Sequence, residues 1–144
     1  MLNLYSTHPN SLVELIYISQ ATQDMGLSSV FHLFDVCQKK NKGNEITGVL
    51  FFEKGHFAQI LEGPRENVSK IWKKIQQDPR HKIVRELAFS AIDQRLFPHW
   101  ALRLYGGEHI AHDLPHLSGI LDGLPVHDHA LLNTMRSVAK GAPA

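Results

Sequence analysis

Residues 45–62 of the chain read EITGVLFFEKGHFAQILE, two runs of strand-forming residues broken by Lys54-Gly55. Glycine supplies the positive φ that a tight hairpin asks for, so Glu45 to Glu53 and His56 to Glu62 are expected to be antiparallel strands. Upstream, Leu12 to Ser19 (LVELIYIS) reads as another strand. Between them Val30, Leu33, Phe34 and Cys37 recur at helical spacing. Ser28 or Ser29 is the expected cap of that helix, which runs to about Asn41; Lys39 and Lys40 suit its negative end, and Gly43 lies just beyond. Downstream, Pro64 suits the first turn of a second helix striped by Val68, Ile71, Trp72 and Ile75 and ended by Asp78-Pro79. Ile83 to Ile92 and Trp100 to Leu104 are further extended segments.

That order, β-α-β-β-α-β plus one strand, predicts an α+β fold of the ferredoxin-like kind. Both helices should lie on one face of the sheet, with the first and third strands as central neighbours. Residues 1–11 are then an N-terminal extension and 12–105 the domain. Residues 106–144 are expected to form a helical appendage on the other sheet face, its later helix striped by Leu131, Leu132, Met135 and Val138.

A chain of 144 residues suffices for one core, and a net charge of +1 gives no electrostatic case for nucleic acid or an anionic membrane. No apolar run nears the ~20 residues a membrane span needs. The start of the chain lacks the basic-then-apolar pattern of a secretory signal, and the single Cys37 excludes an internal disulfide; a cytoplasmic protein is expected.

Alternation puts Phe57, Gln59 and Leu61 on one face of their strand, and Leu15, Tyr17 and Ser19 on one face of theirs. If the apolar members face the helices, Gln59 and Tyr17 enter the core on adjacent strands. Each unsatisfied polar group of a buried amide costs roughly 1–3 kcal/mol, and two side chains cannot satisfy each other fully. Water, backbone or a planar heterocycle between the helices would complete the bonding; a shift of register would instead turn the pair to the other face.

The stretch Asn41 to Gly63, NKGNEITGVLFFEKGHFAQILEG, together with Leu15 to Ser19 (LIYIS), Asp78 to His81 (DPRH) and Phe97 to Trp100 (FPHW), resembles the signature of the BLUF family, flavin-binding sensors of blue light. The resemblance runs from about Leu12 to Leu104. It implies that Tyr17 donates an electron and a proton to an excited flavin, with Gln59 between that tyrosine and the ring's N5/C4=O edge. It implies further that Asn41 bonds the pyrimidine edge and that Leu33 and Ile75 sandwich the ring. Lys74 and Asp78 fall where the family contacts the O2 side and the ribityl chain, and Arg80 and His81 near the phosphate or adenosine end. Trp100 matches a tryptophan placed near the photochemistry. Leu102 stands where the family commonly has methionine, a volume-conserving change that removes a weak thioether acceptor. The implied cofactor is FAD, with FMN or riboflavin as alternatives. The implied activity is photosensory and not enzymatic, with output to a separate effector protein or through a homo-oligomer, at a surface within 106–144. Lys40, beside Asn41, is read as a solvated lysine.

Rival readings are a ligand-binding module of the same fold without photoactivity, and an acylphosphatase-like hydrolase. The loop after the first strand, Gln20 to Gly26, has no arginine or lysine to hold phosphate, which disfavours the hydrolase. An RNA-binding sheet would need outward aromatics in a basic context, and adjacent Phe51 and Phe52 cannot both face outward. His109, His112 and His116 have metal-ligand spacing, with His127 and His129 following, but Pro115 interrupts the helix that would align them. Cys37 is expected to be a buried inert thiol and Trp72 a packing residue.

Overall fold

A computed structural model describes residues 10–22, 27–53, 55–106 and 136. Its elements are β1 (Leu12–Ala21), α1 (Leu27–Gly43), β2 (Thr47–Glu53), β3 (His56–Pro64), α2 (Arg65–Gln77), β4 (His81–Ala91) and β5 (Arg103–Gly106). The five strands form one sheet in the order β4-β1-β3-β2-β5. All neighbours are antiparallel except β2 and β5. This is the expected ferredoxin-like arrangement with β1 and β3 at the centre.

The packing shows why both helices share a face. Leu15, Tyr17 and Leu61 cluster with Val68 and Trp72 of α2, while Leu50 and Phe57 cluster with Leu33, Phe34 and Cys37 of α1. Alternation puts these strand residues on one side of the sheet. The other side is buried too: Ile16, Ile18, Val49, Phe51, Ala58 and Ile60 are all inaccessible. Arg136 reaches that side, bonding Glu14. The helices expected within 107–144, the histidines at 109, 112, 116, 127 and 129, and the extension 1–9 lie outside the described residues.

Several ends differ from expectation. Helix α1 runs from Leu27, so Ser28 and Ser29 are inside it and not ahead of its first turn. It also continues to Gly43, and the left-handed residue after it is Glu45 (φ 58°) instead of the glycine. Asn41 causes this: its carbonyl accepts the N–H groups of both Asn44 (3.0 Å) and Ile46 (2.9 Å), and the second bond needs the reversal at Glu45. Pro64 stands at the cap of α2, one residue before its first turn. Strand β5 starts at Arg103 and not at Trp100, because Phe97 to Trp100 close a turn through the Trp100 N–H (3.2 Å to the Phe97 carbonyl). Gly55 has the positive φ (79°) expected of the hairpin.

A cleft between the helices and the sheet

Tyr17 and Gln59 are directly opposite each other on the two central strands. The Tyr17 hydroxyl donates to Gln59 Oε1, and both residues are about 95% buried (4% and 5% exposed). With its oxygen so engaged, Gln59 turns its amide N–H groups elsewhere, and Nε2 has no hydrogen-bond partner among the described residues. Burial pushes the Tyr17 phenol far above its ordinary range, and the nearby Cys37 and Asp78 add to this. The hydroxyl is therefore held protonated, as a donor. Its ring lies 5.0 Å from the Trp72 ring and 6.3 Å, edge-on, from His81.

His81 is fixed at both nitrogens. Nε2 meets the Ile75 carbonyl, which can only accept, so Nε2 carries the proton. Nδ1 is hydrogen-bonded to the Ser19 hydroxyl at 2.9 Å. This pins the end of α2 to β1 beside Tyr17. Asp78 and Arg80 are likewise occupied with each other, Arg80 Nε lying 2.9 and 3.0 Å from the two carboxylate oxygens. That bond holds the Asp78 carboxyl below the usual range.

At the C-terminal end of α1, Asn41 is 3% exposed, and its Nδ2 donates to the Ala101 carbonyl (2.8 Å). Its Oδ1 has no partner among the described residues. Gln38, one turn earlier, donates to the Leu102 carbonyl (3.3 Å), so α1 grips the segment before β5 at two points.

These residues surround one cleft. All nine expected cofactor contacts line it: Tyr17, Leu33, Asn41, Gln59, Lys74, Ile75, Asp78, Arg80 and His81. Cys37, Lys40, Leu50, Phe57 and Ile71 line it as well and were not expected there. Helical spacing could have found Cys37 from Leu33 and Asn41, and Ile71 from Ile75. Leu50 sits opposite Gln59 in the β2–β3 register, which a sequence does not display. Cys37 is half-buried on this cleft and not enclosed in the core as expected; burial still pushes its thiol up. Trp100 and Leu102 are outside the lining. Trp100 stacks on Phe97 (5.9 Å, 11°) under the Arg103 guanidinium, and Leu102 is buried against the side of the cleft formed by Leu50 and Phe57.

The cleft fits a flavin ring on its own chemistry. Its walls are aliphatic, and its buried polar edge offers donors on Gln59 Nε2 and an acceptor on Asn41 Oδ1 that are unpaired among the described residues. An isoalloxazine edge presents carbonyl acceptors and one N–H donor, the complement of that set. The exposed cations Lys40 and Lys74 stand at the mouth. Among the described residues no three His, Cys, Asp or Glu side chains are grouped to hold a metal, and no helix is long and apolar enough to cross a membrane.

Comparison with known proteins gives the same picture. Residues 12–103 match the family described as sensors of blue-light using FAD. The photoactivated adenylate cyclase subunit beta of Euglena longa is 33% identical over 123 residues, covering 85% of this chain and 14% of that protein. The blue light- and temperature-regulated antirepressor BluF of Escherichia coli (strain K12) is 34% identical over 94 residues, covering 65% of this chain and 23% of its own. In structure, the dark state of BlrB superposes with a TM-score of 0.82 at 23% identity, over 94% of this chain and 99% of that one.

Proposed function

The chain belongs to the BLUF family of blue-light sensors that use FAD, and from that premise we propose that its light response is carried by the Tyr17–Gln59 pair. FAD, when bound, absorbs the blue light and supplies an electron acceptor at the cleft. Gln59 Nε2, Asn41 Oδ1, Leu33 and Ile75 would hold its ring, and Lys74, Asp78 and Arg80 would meet the part of the molecule nearer the mouth. Because both His81 nitrogens are bonded within the protein, its contribution is its ring surface and the positioning of Tyr17.

The observation that carries this reading is the one-sided bonding of Gln59. Its oxygen is occupied by Tyr17 while Nε2 has no hydrogen-bond partner among the described residues, so the amide has two distinguishable orientations. When Tyr17 gives up an electron and lets its proton pass along the hydrogen bond to Gln59 Oε1, the reason for that orientation is removed. The amide can then rotate or tautomerise, and once both the electron and the proton have returned to Tyr17 it stands in a different bonding arrangement. In a buried site such a change is worth on the order of 1 kcal/mol, enough to bias a two-state element.

The test is the absorbance of the purified protein with FAD before and after blue light. A reversible red shift is expected. Gln59→Leu should bind FAD and show no shift, and Tyr17→Phe should bind FAD without light-driven chemistry. A shift retained in Gln59→Leu would refute the mechanism.

The chain spans about one-seventh of the cyclase relative's length. Relatives thus carry the domain inside proteins of different output, one a cyclase subunit and one an antirepressor. We take the domain here to be the sensor and not an enzyme. Its signal would go to an effector in the cytoplasm or through a homo-oligomer. Leu102 in place of methionine leaves no thioether acceptor there, and we expect transfer of the signal from Gln59 to the last strand to be weaker for it.

A further inference from the structure

Residues 95–102 lie between β4 and β5 and belong to no strand, yet they carry the carbonyl that orients Asn41. A carbonyl can only accept, so Asn41 turns Nδ2 toward Ala101 (2.8 Å) and leaves Oδ1 for the cleft. Without a ladder, this segment keeps its place through other bonds. Late in it, the Trp100 carbonyl accepts the Gly48 N–H (3.0 Å) and the Leu102 carbonyl accepts from Gln38 (3.3 Å).

Its early part is held by a buried carboxylate. Glu62, fully inaccessible, accepts the backbone N–H groups of Leu96 (2.8 Å) and Phe97 (2.7 Å) and the Thr47 hydroxyl (2.9 Å). Arg95 completes the group: Nη1 donates to Thr47 Oγ1 (2.9 Å) and to the Glu62 carbonyl (3.1 Å), and Nη2 to the Glu45 carbonyl (2.7 Å). The Glu62 charge is thus answered by a guanidinium one hydroxyl away. The same guanidinium grips Glu45, whose left-handed backbone closes the corner that starts at the Asn41 carbonyl. None of the three side chains lines the cleft.

We infer that Glu62, Thr47 and Arg95 form a clamp that positions the Asn41 amide, fixing it as the acceptor for a ring N–H. The inference rests on the flavin-binding reading above and adds the residues that set the polarity of its Asn41 edge. A buried primary amide has two orientations half a turn apart, nearly equal in shape and opposite in polarity. Here the Ala101 carbonyl separates them: one gives an N–H···O bond, and the other sets two oxygens face to face. That preference lasts only while residue 101 stays within hydrogen-bond reach. The bonds at residues 100 and 102 are single contacts, whereas the clamp fixes the segment through two adjacent N–H groups and a guanidinium. With the clamp released, residue 101 drifts, the preference fades, and Asn41 turns its N–H groups to the cleft as readily as its oxygen. Arg95 and Thr47 are positioning residues in this sense, acting through residues 96–101.

The experiment is NMR of the full-length protein saturated with FAD whose ring nitrogens carry the NMR-active isotope. It follows exchange of the pyrimidine N–H with water, and the signal of the ring nitrogen beside Gln59 in the same samples. In the parent, the N–H should be protected, and Asn41→Ala should abolish the protection. In Arg95→Ala and in Thr47→Val, which removes the hydroxyl at nearly constant shape, exchange should be about tenfold faster than in the parent, with the nitrogen beside Gln59 unmoved. Should Arg95→Ala not fold, Thr47→Val decides alone. Clamp variants that protect the N–H as the parent does overturn the inference, as does a parent without protection. Movement of both signals overturns it too, since that is a general loosening of the site. A parent that binds no FAD would instead bring down the flavin-binding reading itself.

Discussion

Cys37 shows how one side chain on the cleft reports on its surroundings. Burial pushes its thiol up, and this outweighs the opposing pull of Arg80 and Lys40. A raised acid holds its proton more tightly folded than unfolded, so its contribution to stability is full at neutral pH and is lost as pH climbs through the folded value. Since the thiolate is the nucleophile, Cys37 should react with iodoacetamide at pH 7.5 more slowly than free cysteine does, and more slowly again once FAD is added. Alkylation faster than that of the free amino acid would contradict the placement. At this scale the sequence was informative where a residue type is anomalous, as with a glutamine and a tyrosine inside apolar strands. It was silent where ordinary residues acquire a role from register alone: nothing about Leu50 marks it as the neighbour of Gln59. Nor could it reveal that both His81 nitrogens are used internally, since Ser19 and the Ile75 carbonyl come from separate elements.

Among the elements, β2 carries the tightest constraint. A Cβ at Gly48 would lie 2.0 Å from the Ile60 carbonyl oxygen, which is backbone and cannot rotate aside. Gly48→Ala must therefore push β2 from β3 and disturb the strand that carries Gln59. A loss of roughly 2–4 kcal/mol is expected, seen as a lower urea midpoint. A midpoint within error of the parent would mean the two strands are less close than described. Gly48 looked like any residue of a hairpin strand in the sequence, because closeness of a neighbouring backbone leaves no local pattern. The order of elements was legible for the opposite reason: helical and two-residue periodicities are local, and the two helices and five strands between residues 12 and 106 were found. Their ends were less so. Reading β1 as stopping at Ser19 followed the weak strand preference of Gln20 and Ala21, yet pairing with Lys82 and His81 on β4 and His56 on β3 extends it.

At the scale of the whole molecule, a ligand in the cleft should give a measurable stabilisation. The described apolar side chains of α1 at Leu33, Phe34 and Cys37 are all half-buried, whereas Val68 and Trp72 of α2 are buried. Thus α1 borders the cleft, and so do two buried polar atoms, on Gln59 and Asn41, that have no partner among the described residues. Each such atom costs roughly 1–3 kcal/mol while it stays unpaired. A ligand that fills the cleft removes both penalties and joins α1 to the sheet and to α2, so it should favour the folded state over the unfolded one. At a hundredfold excess over its dissociation constant, FAD should add about 2.7 kcal/mol, or about 8 °C in Tm for a domain of this size. Tyr17→Phe should keep most of the gain, because its hydroxyl is already engaged by Gln59. Asn41→Ala should lose much of it, since that change removes the unpaired Oδ1 and also the bond to Ala101 that holds the segment before β5. A melting temperature unmoved by saturating FAD would mean that the space between α1 and the sheet is closed by the protein itself, and that its two buried polar atoms find their partners elsewhere.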